Sequence, residues 1–312
     1  MPENTKPDYV GVDIAADRLD YCVNETEEGN CPNNPIGRAE LIAKIKRLPH
    51  PRVICEASGG YEKLVVAELL ATGIEACVAQ PARVRAFAYA EGLLAKTDRI
   101  DARLLRRYAQ KVQLRLAVPV DAVLATLREL LEHRRVLTTQ LSEVEGRLPL
   151  AGTTLAKLLG RQLVFLKKQL AQVEKMIRQH LDSDPDLRGK SERLQQIKGV
   201  GPVLASTLLA YVPELGEIES PQLSALIGVA PHPRDSGKSH APRHVRAGRG
   251  QVRQVLYMAA VCAMRCNPIL AAFYQRLKAN GKPPKVCLVA VMRKLVCLMN
   301  RLILDPNFTL AH

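Results

Sequence analysis

Short apolar stretches alternate with segments of helical spacing in the first third of the chain. In residues 9–14 apolar side chains occupy every second position, and a second apolar stretch at residues 19–23 follows at once, as in a β-hairpin. Beyond the turn-rich residues 30–35, the pattern predicts a helix at 38–48, a buried strand at 52–55 ending on Glu56, a helix at 64–70, a strand at 76–79 and further helix from Pro81 toward Asp98. This order, with room for a third early strand, predicts an α/β domain.

From residue 122 the apolar positions recur in steps of three and four, which is the spacing of a heptad seam. The seam is interrupted once, by Arg134, and by a turn at residues 149–152; its apolar members are Val123, Leu127, Leu130, Leu137, Leu141, Val144, Leu148, Leu159, Leu163, Leu166, Leu170, Val173 and Ile177. Two long helices in a coiled-coil hairpin are therefore expected, ending at a linker in residues 182–186. Such a hairpin can pack on itself or join protomers, and the pattern leaves both open.

The remaining residues predict a mainly α-helical domain. Apolar segments at 194–197 and 203–212 flank Lys198, Gly199 and Gly201, which resembles a helix-hairpin-helix whose turn offers backbone N–H groups to a phosphate. A plain turn between two helices would also need glycines. Helical spacing returns later in the chain, at 252–264, 269–278 and 285–304.

Basic residues are concentrated just before these last helices. Residues 231–238 are expected to form an exposed loop, and from there to the next helix one acid, Asp235, accompanies six bases: Arg234, Lys238, Arg243, Arg246, Arg249 and Arg253. A run of charge often lies simply on a solvated surface. Because this run is Gly-rich, non-periodic and part of a basic chain, we predict that it binds phosphates.

Four carboxylates lie where this pattern allows a shared cleft. Asp13 is on the first strand, Glu56 ends the strand after the first helix, and Asp98 and Asp101 are three residues apart, on one face, at the start of a helical pattern. Converging carboxylates repel one another unless divalent cations lie between them, and Mg²⁺ prefers oxygen ligands. Each residue also has a simpler interpretation: a strand-end turn for Asp13, a solvated position for Glu56, and a favourable contact with the helix dipole for the pair.

The overall charge favours a polyanionic partner. The 312 residues include 45 Lys and Arg against 31 Asp and Glu, which gives a formal charge of +14 and a pI near 9.6. Nucleic acid is the first candidate. A membrane-spanning protein is not expected, because the longest apolar run near the C-terminus, residues 286–292, is too short to cross a bilayer.

Two further observations concern the cellular compartment. The N-terminus lacks the apolar core of a signal peptide, so a cytoplasmic location is expected. The eight cysteines include no C-x-x-C pair, so zinc-binding spacing is absent. Most of them lie in apolar runs, such as those around Cys55, Cys77 and Cys287, and we expect reduced thiols in the core.

Six short motifs resemble those of one family. They are Gly-Val-Asp at 11–13, Glu-Ala-Ser-Gly-Gly-Tyr at 56–61, Lys-Thr-Asp-Arg-Ile-Asp-Ala at 96–102, Ile-Lys-Gly-Val-Gly-Pro at 197–202, Leu-Ile-Gly-Val-Ala-Pro at 226–231 and Arg-Asp-Ser-Gly at 234–237. With them the chain resembles DEDD-type insertion-sequence transposases, a family of bridge-RNA-guided serine recombinases that includes site-specific DNA invertases. The resemblance implies an RNase H-like fold of the RuvC type in residues 1–118, a coiled-coil hairpin in 119–186 and a C-terminal transposase domain in 187–312.

The same resemblance implies roles for individual residues. Asp13, Glu56, Asp98 and Asp101 would hold Mg²⁺ or Mn²⁺, and Ser236 would be the nucleophile that attacks DNA, with Ser239 a nearby alternative. Arginines around a Gly-flanked serine suit this chemistry, because they stabilise charge that develops on phosphoryl oxygens. The implied partners are donor and target DNA, a noncoding bridge RNA and further copies of the chain in a dimer or tetramer, acting at the bacterial nucleoid.

Two other functions are compatible with the same residues. A metal-dependent, structure-selective DNA nuclease similar to Holliday-junction resolvases would use water as the nucleophile, and Ser236 would only bind. A non-catalytic architectural protein would bind nucleic acid through its positive charge. A covalent protein–DNA adduct distinguishes the recombinase from the nuclease, and metal-dependent cleavage distinguishes both from the architectural protein.

Overall fold

The computed structural model describes residues 7–93, 98–119, 121–232, 235–236, 239–240, 244–245 and 248–310, with the backbone alone at 98–100, 232, 235–236, 239–240 and 244. The chain divides into two compact units, Met1–Val120 and Asp121–His312. The boundary predicted at residue 118 lies close to this division. Residues 119–186 and 187–312, predicted as separate segments, fall almost entirely within the second unit.

The first unit is a mixed five-stranded sheet with four helices among its described residues. Its elements are β1 Asp8–Ile14, β2 Arg18–Cys22, β3 Glu28–Pro32, α1 Pro35–Ile45, β4 Pro51–Glu56, α2 Glu62–Ala71, β5 Glu75–Ala79, α3 Pro81–Ala90 and α4 Asp98–Lys111. The strand order is β3-β2-β1-β4-β5, with β1 antiparallel to β2 but parallel to β4. The α/β class and the early hairpin are confirmed. Residues 30–32, expected in a turn, instead complete β3 because they pair with β2.

The two faces of this sheet enter different apolar cores, as the alternation of side chains along a strand requires. Val12 and Cys55 belong to a core shared with α1 and α2, whereas Ile54 belongs to one shared with α3 and α4. Burial raises the pKa of the Cys55 thiol to about 12, so this cysteine stays protonated at neutral pH. Alternate residues of β1 and β4 therefore point toward α4.

The second unit is mainly α-helical, as predicted. Its helices are α5 Ala122–Arg147, α6 Thr153–Asp182, α7 Pro185–Gln195, α8 Pro202–Tyr211, α9 Ser220–Ile227, α10 Gly250–Cys266, α11 Pro268–Ala279 and α12 Pro284–Leu304, with a 3₁₀ turn at Leu148–Leu150. Between α9 and α10 lie four short strands, β6 Pro231–His232, β7 Asp235–Ser236, β8 Ser239–His240 and β9 His244–Val245. They pair antiparallel, β6 with β9 and β7 with β8.

Helices α5 and α6 form the predicted antiparallel hairpin. Arg134, which interrupts the apolar seam of α5, donates two hydrogen bonds of 3.0 Å and 2.8 Å to Glu174 on α6. Nearer the tip, Lys167 of α6 pairs with Glu145 of α5 at 3.4 Å. The polar interruption of the seam is therefore satisfied across the hairpin and does not break it.

The linker predicted at residues 182–186 is wrong. Only Ser183 and Asp184 separate α6 from α7, and the Asp184 carboxylate accepts hydrogen bonds from the amides of Asp186 and Leu187 at 2.9 Å and 3.0 Å. The acidic cluster is a helix cap, since Asp satisfies N–H groups that have no partner within the helix. The hairpin shares one continuous apolar core with the helices that follow.

Two cysteines of α10 are exposed, which the sequence did not predict. All eight cysteines are free thiols, and five are buried as expected. Cys262 and Cys266 are exposed because a spacing of four residues puts both on one outer face of α10.

Among the described residues, no single helix is long and apolar enough to cross a membrane. Helices α10 and α11, bent by 100° at their junction, pass that test only as a pair.

Candidate functional site

Asp13 and Glu56 lie on neighbouring parallel strands at the same edge of the sheet. β1 and β4 pair in parallel as far as Val12 and Cys55, and Asp13 and Glu56 are the next residue of each strand. Side chains at the same register of a parallel pair point to the same face. Both carboxylates therefore project on the α4 side of the sheet, and both are half-buried.

Helix α4 packs on this face of the sheet against β1. Arg106 donates a hydrogen bond from Nε to the carbonyl oxygen of Tyr9 at 3.2 Å, and Ala102, one turn earlier, contacts Gly11. A β-carbon on Gly11 would overlap the carbonyl oxygen of Ala102 and lie 2.7 Å from the amide nitrogen of Arg106, so only glycine permits this approach. Gly11 is therefore the point where the backbones of α4 and β1 touch.

The start of α4 carries the other two predicted ligands. Asp98 is one helical turn before Ala102. The side chain of Asp101 is half-buried, while that of Asp98 lies outside the described atoms. Among the side chains that are described, no group of three or more His, Cys, Asp or Glu residues is arranged to hold a metal ion. A metal site shared by the four carboxylates therefore stays a prediction.

The turn after Glu56 is held by the carboxylate of Glu62. This carboxylate accepts hydrogen bonds from the amide nitrogens of Ser58 at 3.0 Å and Gly60 at 2.9 Å. Gly59 and Gly60 have φ angles of 71° and 111°, which glycine adopts without steric cost. Residues 56–61 therefore form a defined turn that fixes the end of β4.

Asp20 is an acidic residue beside the candidate cleft that the sequence pattern alone did not reveal. It is the cross-strand partner of Asp13 and is only 7% exposed. Arg18 donates two hydrogen bonds to it, at 2.7 Å and 2.8 Å, and so neutralises its charge. The predicted hairpin contained the signal, since aligning its two strands puts Asp20 opposite Asp13.

The turn before α8 uses its two glycines differently. Gly199 has a φ of 102°, and a β-carbon there would overlap the β-carbon of Ala263 on α10. Gly201 is the N-cap of α8, forms no side-chain capping bond and has open space around it. Together with exposed Lys198, this helix N-terminus has the donors and charge that suit a phosphate. The two helices joined by a turn are confirmed, and the phosphate contact stays a prediction.

The exposed loop predicted at 231–238 is instead built partly from short paired strands. Ser236 of β7 is the cross-strand partner of Ser239 of β8. A polar segment without alternation gives no local signal for such pairing. Four of the predicted phosphate contacts lie outside the described residues: Arg234, Lys238, Arg243 and Arg246.

The other two predicted contacts of this segment lie at the start of α10. Arg249 donates from both terminal guanidinium nitrogens to the two carboxylate oxygens of Glu214, at 2.7 Å and 2.8 Å. Arg253, one turn later, is half-buried. Arg249 is therefore engaged within the protein itself.

Two family profiles match the chain. A DEDD transposase profile of the IS110 type matches residues 10–149, and a profile described as the transposase IS116/IS110/IS902 family matches residues 191–275. Together they cover well over half of the chain, including both candidate sites. The chain belongs to this family of insertion-sequence transposases.

Relatives of this transposase match along most of its length. The pilin gene-inverting proteins of Moraxella lacunata and Moraxella bovis are each 27% identical over 301 residues, 93% of this chain and 94% of theirs. A 44.8 kDa protein of insertion element IS116 from Streptomyces clavuligerus is 27% identical over 154 residues, 48% of this chain and 37% of its own. The transposase is accordingly a DNA recombinase, an enzyme that cuts and rejoins DNA strands.

Gly11→Ala is expected to push α4 away from β1 in this transposase. Overpacking of this kind costs about 1–3 kcal/mol, and a shifted α4 would change the spacing between Asp101 and Asp13. We expect cleavage of labelled DNA to fall at least about tenfold, which corresponds to about 1.4 kcal/mol in the barrier. Gly160→Ala on α6 is the control, because open space surrounds Gly160 and alanine favours a helix by about 1 kcal/mol. Normal cleavage by Gly11→Ala would show that this contact does not position the carboxylates.

Proposed function

We propose that this transposase is a site-specific recombinase that cuts and rejoins DNA through a phosphoserine intermediate at Ser236, assisted by Mg²⁺ or Mn²⁺ at Asp13, Glu56, Asp98 and Asp101. The main support is the close contact of α4 with β1, because it puts the helix that carries Asp98 and Asp101 on the face of the sheet to which Asp13 and Glu56 project. An RNase H-like fold of the RuvC type is part of the proposal. The mixed sheet with helices on both faces supports it.

The residue types predicted to meet in this cleft suit a hard divalent cation. Asp13, Glu56 and Asp101 offer half-buried carboxylates, and carboxylate oxygens are the ligands that Mg²⁺ prefers. The neighbouring Asp20 is ion-paired with Arg18 and adds little uncompensated charge. A bound cation of this kind lowers the cost of forming an alkoxide and stabilises the leaving oxygen.

Ser236 supplies the nucleophile in this proposal. Its hydroxyl oxygen attacks a DNA phosphorus, a phosphoserine ester forms, the bond from phosphorus to one deoxyribose oxygen breaks, and that oxygen takes up a proton. Attack of a DNA hydroxyl on the ester reverses these changes, frees the serine and joins strands without an external energy source. Nearby arginines stabilise charge on the phosphoryl oxygens. The β7–β8 pairing supports the role, because pairing with Ser239 gives the backbone of Ser236 a defined place.

The proposed partners are donor and target DNA and a noncoding bridge RNA. The formal charge of +14 favours polyanions. Candidate contacts are the turn from Lys198 to Gly201 and the bases Arg234, Lys238, Arg243, Arg246 and Arg253. The relatives that are named for inverting a pilin gene support DNA inversion as one outcome. We expect the enzyme to act in the bacterial cytoplasm, at the nucleoid.

The α5–α6 hairpin is proposed to join protomers, since recombination must hold two duplexes together. Its far half exposes large apolar side chains: Leu150 is 89% exposed, Val164 71% and Phe165 60%. Clustered apolar exposure marks an interaction surface. Light scattering of the enzyme with its nucleic acids should give the mass of a dimer or tetramer, and Val164→Ser with Phe165→Ser should lower that mass. A monomeric wild-type enzyme would contradict the proposal.

A metal-dependent, structure-selective nuclease is the second candidate function. The sheet edge formed by Asp13 and Glu56 favours it as much as it favours recombination, because such a site can also activate water. Ser236 would then bind DNA without forming a bond to it.

A plasmid assay tests the proposed function. The enzyme is expressed with the DNA that flanks its gene, as a source of bridge RNA, and is given a plasmid that carries two flanking sites. Sequencing should find new junctions with no bases lost, and RNA sequenced from the purified enzyme should map to the flanking DNA. Breaks without new junctions would favour the nuclease, and intact plasmid would favour the architectural protein.

A further inference from the structure

The two ends of the segment that carries Ser236 meet at a pair of glycines. The chain leaves α9 through Gly228, whose φ is 85°, and returns to α10 through Gly248, whose φ is 79°. A β-carbon on Gly248 would lie 2.5 Å from the α-carbon of Gly228, so the two backbones touch with no side chain between them. β6 and β9 pair just beyond this contact. The contact therefore closes the base of the β6–β9 hairpin.

Arg249 ties this closed base to the helices around it. Its amide nitrogen donates to the carbonyl oxygen of Leu226 at 3.2 Å, and its guanidinium makes the two bonds to Glu214 described above. The Glu214 side chain is 13% exposed and that of Arg249 is 29% exposed, so the pair is largely shielded from water. A planar guanidinium with two parallel bonds to a carboxylate has a fixed orientation.

Glu214 is in turn held by the core of the second unit. It lies in the connection between α8 and α9, which α12 fixes through Asn300. The amide nitrogen of Gly216 donates to Oδ1 of Asn300 at 2.8 Å, and Nδ2 of Asn300 donates to the carbonyl oxygen of Ile218 at 2.8 Å. Asn300 is 1% exposed. Glu214 is therefore an anchored acceptor for Arg249.

We propose that Arg249 and Glu214 are positioning residues that hold the hairpin bearing Ser236, and that Arg249 is not the phosphate contact that its basic surroundings suggest. This inference rests on the proposed role of Ser236. Displacement of a reacting group by about 1 Å can cost about 10²-fold in rate. The pair is thus expected to affect the rate of strand cleavage and to leave DNA affinity unchanged.

Four variants test this inference: Glu214→Ala, Arg249→Ala, Arg249→Lys and the double alanine variant. Both alanine variants should slow formation of the protein–DNA adduct by about 10²-fold, and the double variant should be no slower, because residues in one ion pair are not additive. Arg249→Lys should also be slow, since an ammonium keeps the charge but cannot make the bidentate pair. The salt dependence of DNA binding should match that of the wild type in every variant.

A phosphate contact at Arg249 would give a different pattern. Arg249→Ala would reduce the slope of log affinity against log salt by about 0.9, Arg249→Lys would keep most of the activity, and Glu214→Ala would cleave normally. Any of these results would overturn the positioning role. Arg188→Ala and Glu192→Ala are the matched controls, because this pair on α7 is exposed by 54% and 70% and such pairs contribute little; both should cleave at the wild-type rate.

Hydrogen exchange without DNA separates this inference from the proposed function. The amides of His232, His244 and Val245 should exchange faster in Glu214→Ala and Arg249→Ala, and to a similar extent in both. Arg249→Lys gives the same test if an alanine variant does not fold. If the wild-type enzyme forms no adduct, the proposed function is wrong, but faster amide exchange in the variants would still support the role of Arg249 and Glu214 in holding the hairpin. Unchanged amide exchange in these variants would overturn that role.

Discussion

Ser236→Ala is expected to abolish both the covalent protein–DNA adduct and recombination, with a loss of at least about 10³-fold. The proposed cut leaves DNA joined to the serine oxygen, so without that oxygen no ester can form. Folding and nucleic-acid affinity should stay as in the wild type, because a single hydroxyl on a two-residue strand contributes little to stability. The measurement is denaturing electrophoresis of labelled DNA after reaction with Mg²⁺, where the wild type should give a slow, protease-sensitive band.

Ser239→Ala is the matched control for this experiment. Ser239 is opposite Ser236 in the β7–β8 pair, so both variants remove the same group from one strand pair. The Ser239 variant should keep the band. The nucleophile is misassigned if Ser236→Ala retains the adduct, or if Ser239→Ala alone loses it. Wild-type cleavage without any adduct would favour the nuclease.

Asp13→Asn is expected to remove strand cleavage, also by at least about 10³-fold, since a lost contact to a catalytic cation costs several kcal/mol of barrier. The amide has nearly the same size as the carboxylate but no charge, so the sheet should fold normally. DNA affinity should be retained, because the substitution removes no positive charge. Cleavage is measured at several Mg²⁺ concentrations, and Glu56→Gln and Asp101→Asn should behave alike.

Asp20→Asn provides the control for Asp13→Asn. The two residues are cross-strand partners, but Asp20 is already ion-paired with Arg18. Its variant should lose some stability and still cleave DNA whenever it is folded. If Asp13→Asn cleaves at the wild-type rate, or if Asp20→Asn is the one that loses Mg²⁺-dependent cleavage, the proposed carboxylate cleft is wrong.

Local signals account for the parts of the fold that the sequence predicts well. Apolar residues at every second position of 9–14 predict a strand, and apolar residues three or four apart from Leu127 through α5 predict a helix. Both elements are confirmed. Strand β3 is harder to predict, because Asn30 and its neighbours are polar and turn-forming and are held in place by pairing with β2. The proposed nucleophile, Ser236, comes from family resemblance and from no periodic pattern.

Long-range partners explain where the sequence misleads. The basic surroundings of Arg249 suggest a phosphate, whereas its guanidinium binds Glu214, 35 residues earlier. The acids around Asp184 suggest a linker, whereas its carboxylate caps α7. Because Asp13 and Glu56 lie at the carboxyl ends of two strands, the sequence predicts that they are close together. No local pattern predicts that α4 will contact Gly11. In each case the deciding partner lies on another element.

Because α4 meets β1 backbone against backbone, stability and catalytic geometry are separable in the first unit. Leu104, Leu105 and Tyr108 contribute apolar burial along the helix, and smaller side chains there should lower the free energy of unfolding. The height of α4 above the sheet should nevertheless persist, since the Gly11 contact sets it. We therefore expect this enzyme to keep its chemistry when that apolar core is altered conservatively, provided that position 11 carries no side chain.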